Sequence, residues 1–321
     1  MRNENAGDDA TEKWNDFMVE YTIKRVLYAI LTIFIVSVLT FSLMNLVPGG
    51  PFLSEKAPSA AVTAALEEKY GLDRPLVEQY LTWAGNALKG DFGPSIKKRG
   101  REVSDIISSG FKISARIGAF AMVISVGVGI PLGCIAAFRR GKWQDNVILV
   151  FATSGISMPS FIIASFLIVL IGERLGLTFG IATPAHFILP VVSLAFFPTA
   201  YIMRLTRSSM LDVMGQDYIR TARSKGLTQR NVIFKHALRN ALLPVITYLG
   251  PEIAYILTGS FLVERIFTIP GLGNEFISSI LNRDYPMIMG TTVFLATLIV
   301  FMNVIVDIAY KFVDPRITYT I

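Results

Sequence analysis

Cysteine is all but missing from this 321-residue chain: Cys134 stands alone, so neither an internal disulfide nor a multi-cysteine metal site can form. It falls in an apolar run, where a thiol behaves as a small hydrophobe. Histidine is nearly as scarce, and the spans assigned below put His186 and His236 on opposite sides of a membrane, where they cannot share a metal. No Gly-rich phosphate loop with its Lys occurs, which excludes nucleotide binding in the P-loop manner. Ser154-Gly155 and Gly271-Leu272-Gly273 are turn or packing signals instead. Paired acids and a nucleophile–base set are missing too, so the sequence offers no catalytic residue, cofactor site or metal site. Charge is thin: 17% of residues are Asp, Glu, Lys or Arg, against the ~25% usual in soluble domains.

What fills the chain is apolar sequence, 52% of it, with a mean hydropathy of +0.53. Six runs approach or reach the roughly 17–25 residues that cross a bilayer as a helix. They are Val26–Val47, Ile117–Phe138, Val147–Ile171, Phe187–Met203, Ala241–Val263 and Ile288–Ile308. The fourth is the weakest, because Pro190 and Pro198 interrupt it. The first is longer than a signal-peptide core, and no small-residue cleavage site follows it, so it is expected to remain as a span. Gly127, Gly129 and Gly133 with Pro131 suit a kink or a close helix approach in the second.

The net charge of +6 sits in short segments beside these runs, a topology signal rather than a nucleic-acid face. Lys24-Arg25, Arg139-Arg140-Lys142 and eight cations between Arg204 and Arg239 fall on one side, and far fewer on the other. The positive-inside rule then makes both termini cytoplasmic. Residues 1–25 read as a flexible cytoplasmic tail, 26–313 as the transmembrane domain and 314–321 as a cytoplasmic tail. The basic loop 48–114 is long enough to cross regardless of its charge. It should carry two short amphipathic helices, Ala61–Tyr70 and Pro75–Leu88, the second with Leu76, Val77, Tyr80, Leu81, Ala84 and Leu88 on one face. The fold class is therefore all-α and polytopic, with six transmembrane helices, a helical outer loop and a cytoplasmic loop at 204–239.

That cytoplasmic loop is more than a topology signal. Asp217 can cap a helix that ends at Gly226, Arg223 and Lys225 suit its last turn, and Thr228 can cap a second helix with Leu227 and Val232 as a staple. Tyr218, Ile219, Ala222 and Leu227 set an apolar ridge among the charges, which suits a groove on a partner protein.

The stretch Asp217–Leu227, followed by Lys235-His236-Ala237-Leu238-Arg239-Asn240-Ala241-Leu242-Leu243-Pro244, resembles the coupling loop of binding-protein-dependent ABC importer permeases of the oligopeptide/dipeptide (peptide/nickel/opine) type, and the chain resembles the first permease of their pair. Tyr70-Gly71-Leu72-Asp73-Arg74-Pro75-Leu76, Lys89-Gly90-Asp91-Phe92-Gly93, Phe267-Thr268-Ile269-Pro270-Gly271-Leu272-Gly273, Arg283-Asp284-Tyr285-Pro286 and Asp314-Pro315-Arg316 extend the resemblance over most of the chain. The broad importer pattern opens Glu-Ala-Ala where this chain has Arg220-Thr221-Ala222, and Leu243-Pro244 comes late; both features resemble the peptide subfamily's own variant.

The resemblance implies a permease subunit in a bacterial or archaeal cytoplasmic membrane. Its partners would be a second homologous permease, two cytosolic ATPases that bind the ATP and Mg, and an extracytoplasmic binding protein. Coupling would fall to Asp217, Tyr218, Ile219, Arg220, Thr221, Ala222, Arg223 and Gly226, although Arg220 and Arg223 also fit a purely topological role. Along the pathway, Glu252 reads either as a cavity-lining group that attracts the cationic end of a peptide or as a group protonated or paired between helices. Thr247, Tyr248, Tyr255 and Thr258 could share its face, while Asn303 and Asp307 suit bonds between helices. The resemblance implies import of oligopeptides or dipeptides, with another small solute (nickel, an opine or a sugar) as the alternative cargo. A membrane receptor or enzyme, or a self-powered carrier with inverted repeats, is the reading from another class.

Overall fold

The computed structural model describes residues 4–52, 59–177 and 180–313. The tail expected at 314–321, with Asp314-Pro315-Arg316, and the side chain of Asp307 lie outside that description. Among the described residues the chain is helical apart from turns and one isolated bridge between Pro94 and Glu102. The helices run α1 (Glu4–Leu46), α2 (Ala60–Tyr70), α3 (Leu76–Ala87), α4 (Val103–Phe138), α5 (Trp143–Ser157), α6 (Ser160–Leu167) and α7 (Glu173–Leu175), then α8 (Ile188–Met214), α9 (Asp217–Ser224), α10 (Gln229–Asn231) and α11 (Leu238–Ala241). After them come α12 (Leu243–Leu257), α13 (Phe261–Ile266), α14 (Leu272–Asn282) and α15 (Tyr285–Val313). Two compact units result: one from residues up to Ser104 and from Ser279 onward, the other Asp105–Ser278.

In the first unit α1 packs along α15. The polar start expected to be a flexible tail is instead helical from Glu4, continuous with the first span. The outer-loop helices α2 and α3 fall where their periodicity puts them. The apolar face of α3 is nevertheless not buried as expected: Leu76, Val77, Leu81 and Leu88 are exposed. Tyr80 is the side chain that docks, its hydroxyl 2.7 Å from Ser37 Oγ and its ring edge-on to Phe41. Asp284, 3% exposed, anchors the end of the loop, accepting from the Ser95 hydroxyl and from the backbone N–H groups of Ile96 and Lys97 at 3.2 Å. The helix that carries the second apolar run, α4, begins at Val103, ahead of that run.

In the second unit the spans differ from straight rods in two places, for one local reason each. The run 147–171 is broken, α5 meeting the α6–α7 segment at 108°. Pro159 is the cause: the ring of a proline pushes the preceding residue out of the helical region, and Met158 sits at φ −95°, ψ 121°. The run 241–263 divides at Gly259, φ +87°, a left-handed backbone that glycine adopts without a Cβ clash. By contrast α8 is continuous through both of its prolines. Pro190 lies in the first turn, where no intrahelical N–H bond is lost, and only Pro198 is interior. Among the described residues, five helices, or six if the bent pair is one span, are long and apolar enough to cross a membrane.

Small residues set how closely α4 and α8 approach. A Cβ at Gly129 would lie 2.9 Å from Ile202 Cγ2, and one at Gly133 would lie 2.5 Å from the Met203 carbonyl oxygen. Gly127, expected to share that role, faces open space. Ser125 and Thr199 add a polar tie between the same helices, Ser125 Oγ donating to the Ala195 carbonyl at 3.1 Å. Around them Ala121, Ala164, Ala195, Ile117, Leu189 and Ile256 form the larger core cluster.

Candidate functional site

The polar end of this unit is built on α8. That helix stops at Met214, and Gly215-Gln216 turns the chain into α9. Gln216, not Asp217, is the N-cap residue, and it makes no side-chain cap. Asp217 is instead the first helical residue, where its carboxylate still favours the positive end of the dipole. The far end matches its sequence signals: Gly226 takes φ +74° and its N–H donates to the Arg223 carbonyl at 2.9 Å. Thr228 then accepts from the Asn231 N–H at 3.5 Å and opens α10, which passes through a π turn, Val232–Ala237, into α11.

The apolar ridge of α9 does not face outward. Ile219 is fully buried and Ala222 nearly so, packed in a cluster with Ala137, Met210, Val232, Ala237 and Ala241 of the same chain. Both therefore seat the helix on its own subunit, which corrects their assignment to a partner's groove. The hydrophobic effect holds that face down. The opposite face carries Tyr218, Arg220, Thr221 and Arg223, all exposed, and Leu227, past the end of the helix, is exposed too. Tyr218 is also steadied from behind, its hydroxyl accepting from Asn240 Nδ2 at 2.8 Å. Arg220 and Asp217 pair at 3.5 Å, but both are largely exposed, so the pair adds little to stability.

A second tie near this end was invisible in sequence. Arg207 on α8 makes a bidentate pair with Asp145 on α5, Nε to Oδ1 at 2.6 Å and Nη2 to Oδ2 at 2.8 Å. The Gly141 N–H donates to the same carboxylate at 2.9 Å. These bonds fix the α4–α5 turn to the helix from which α9 hangs. The two residues are 62 apart in the chain, so no local spacing could reveal the pair.

Among the pathway candidates, Glu252 and Tyr255 line one cavity of about 290 Å³, together with Ser157, Met158, Pro159, Ser160 and Ser260. Thr247 and Thr258 do not join them. The Thr247 hydroxyl turns back to the Leu243 carbonyl at 3.0 Å, and buried Thr258 bonds the Tyr255 carbonyl at 2.6 Å, each helping its own helix. Tyr248 stacks near Tyr201 at 4.3 Å between ring centres. The three serines were missed; Pro159 inside an apolar run was the available signal.

Glu264, also unremarked in sequence, is 3% exposed and fully engaged. It accepts from Ser114 Oγ at 2.6 Å and from the Asn274 N–H at 2.9 Å, while the Leu272 N–H donates to Ser114 Oγ at 2.8 Å. A Cβ at Gly271 would collide with this carboxylate, so Gly271 leaves room for Glu264, while one at Gly273 would lie 2.8 Å from the Phe261 backbone nitrogen. No group of three or more His, Cys, Asp or Glu able to hold a metal occurs among the described residues.

Comparison with known proteins places this architecture. Residues 129–319 match the family described as binding-protein-dependent transport system inner membrane component, and residues 18–97 match the N-terminal part of such components. The dipeptide transport system permease protein DppB of Bacillus subtilis is 49% identical over 303 residues, covering 94% of this chain and 98% of its own. The oligopeptide transport system permease protein OppB of Haemophilus influenzae is 42% identical, and that of Salmonella typhimurium 39%, each over 306 residues, 94% of this chain and all of theirs. Among solved structures, a chain of the inward-facing MetNI methionine ABC transporter aligns with a TM-score of 0.53 at 17% identity, over 65% of this chain and 96% of that one, a likeness of fold.

Proposed function

We propose, from the premise that the chain belongs to the family of binding-protein-dependent transport system inner membrane components, that it imports dipeptides or oligopeptides as one of two permease subunits driven by two cytosolic ATPases. The family is one of transport permeases, not enzymes. ATP and Mg are bound and used by the partner ATPases, and cargo arrives on an extracytoplasmic binding protein. Both termini and the α8–α9 end lie in the cytoplasm.

The observation that carries this reading is the two-faced α9. Its buried face is continuous with the core under α8 and α11, and its exposed face offers Tyr218, Arg220 and Arg223 on a short helix capped by Gly226. A push on that face moves the packed helices beneath it as a body, where a floppy loop would absorb the motion. Tyr218, Arg220, Thr221 and Arg223 meet the ATPase, Ile219 and Ala222 transmit its movement, and Asp217 and Gly226 terminate the helix. The cavity holding Glu252 and Tyr255 lies on the route of the solute. Thr247 keeps α12 regular beside it, and Thr258 closes the end of that helix.

The test is reconstitution. Purified through a tag on this chain, the assembly should contain a second permease and two ATPases, and in proteoliposomes it should accumulate labelled peptide when ATP and the peptide-loaded binding protein are both supplied. Peptide accumulation without ATP would contradict the reading. Accumulation of nickel, an opine or a sugar in place of peptide would keep the architecture and change the cargo.

A further inference from the structure

The bend that Pro159 imposes has a chemical consequence. Pro159 stands midway along the apolar run 147–171, so the chain leaves helical geometry at the centre of a helix pair that is one broken span or a re-entrant segment. Irregular backbone inside a membrane is tolerated where it is covered by protein or lines a cavity. Here it lines one: Ile156, Ser157, Met158, Pro159 and Ser160 form one wall of the 290 Å³ space, with Leu194, Phe197 and Pro198 beside them. Glu252, Tyr255 and Ser260 complete it from the following elements.

Three features of this wall favour a cation. Proline has no N–H, so the Gly155 carbonyl loses its intrahelical partner, and the last carbonyls of α5 are left at the helix end. A helix C-terminus carries about half a negative charge. Glu252 is the one acidic side chain among the lining residues, and Ser157 and Ser260 add hydroxyl oxygens that can accept hydrogen bonds. The Ser157 hydroxyl donates to the Thr153 carbonyl at 2.9 Å, leaving its own lone pairs for a donor in the cavity. At 290 Å³ the cavity sits at the lower edge of the ~300–1,000 Å³ that hold drug-sized ligands, so it takes one end of an extended peptide and not the whole.

We propose that the cavity at the broken span is an ammonium subsite, holding the protonated amine of the passing solute between Glu252 and the carbonyl end of α5. The inference rests on the import reading for its cargo and on geometry for its chemistry, so the two are tested separately. In a Cys134→Ser background, Ser157→Cys puts a single thiol at the cavity, with Ser260→Cys as a second reporter on the opposite wall. Within the full complex, the reaction rate of the thiol is measured with aminoethyl methanethiosulfonate, itself a primary ammonium, and with the anionic sulfonatoethyl reagent, each normalised to its rate with a free thiol.

The cationic reagent should be favoured, and Glu252→Gln should reduce that preference by roughly fivefold or more, since one unit charge a few ångströms away changes a cation's local concentration that much even through water. Glu252→Gln should also slow ATP-dependent uptake of a free-amine peptide. A preference for the cationic reagent that Glu252→Gln leaves unchanged at both reporters overturns the subsite. A lost preference with unchanged peptide uptake shows a cation site that the cargo does not use, which overturns the proposal as well. Should the unmutated complex move no peptide at all, the import reading fails while the reagent preference still decides whether the cation site exists.

Discussion

Ile219 and Arg220 are neighbours in the chain and opposites in use. Ile219 is wholly buried under α9, whereas Arg220 is largely in solvent. Truncating Ile219 to Ala should therefore cost about 2–5 kcal/mol, as buried aliphatic deletions do, and lower the unfolding midpoint of the purified complex. Arg220→Ala should change stability by no more than about 0.5 kcal/mol, yet reduce uptake if, as proposed, the exposed face of α9 meets an ATPase. Equal effects of the two on stability would contradict this division of labour. Gly226 makes a third case, since nothing lies within 4 Å of where its Cβ would be and only its φ of +74° constrains it. Gly226→Ala should cost about 1–2 kcal/mol for the left-handed backbone, and Gly226→Asn distinctly less; a comparison of unfolding midpoints checks the order.

At the level of elements, the decisive departures from regularity are local, and the sequence carried some of them openly. Gly226 and Thr228 were legible because a left-handed cap and a side-chain cap are written within three or four residues. The outer-loop helices were legible from apolar periodicity, which is likewise local. The break at Pro159 is written there too, but a long apolar run masks a single proline, whereas α8 absorbs both Pro190 and Pro198. What local sequence could not show was which side of α9 is covered, because Met210, Val232 and Ala237 reach Ile219 only after folding. The Arg207–Asp145 pair and the Ser114–Glu264 bond, 150 residues apart, were hidden likewise. The break itself is testable. Pro159→Ala restores an N–H for the Gly155 carbonyl and removes the restraint on Met158, so α5 should extend and narrow the cavity. A thiol at Ser157 should then label more slowly than in the parent, and an unchanged rate would show that the bend does not depend on the proline.

At the scale of the whole molecule, contact between α9 and a cytosolic ATPase requires a fixed sidedness. The cation distribution predicts that a cysteine placed at Ser224, in a Cys134→Ser background, reacts with an impermeant maleimide only from the cytoplasmic face, and one at Lys97 only from the outer face. The reverse pattern would put α9 out of reach of any cytosolic partner. With sidedness established, the proposed function requires that a movement imposed at α9 reach the helices around Glu252. The packing supplies the route, since α9 sits against α8 and the π turn, and α8 in turn packs against α5, α6 and α12. These are helices with interlocked small residues, which shift as bodies and not by smooth deformation.

The most direct measurement is the stimulation of ATP hydrolysis by peptide-loaded binding protein in proteoliposomes, compared between the unmutated complex and one carrying Tyr218→Ala with Arg220→Glu. The two sites are linked by a coupling free energy, and disabling the contact should cut the ratio of stimulated to unstimulated hydrolysis by roughly 5- to 150-fold, with peptide uptake falling in parallel. Full stimulation and full uptake in the double variant, with the assembly intact, would mean that the exposed face of α9 is not where the chain meets its motor.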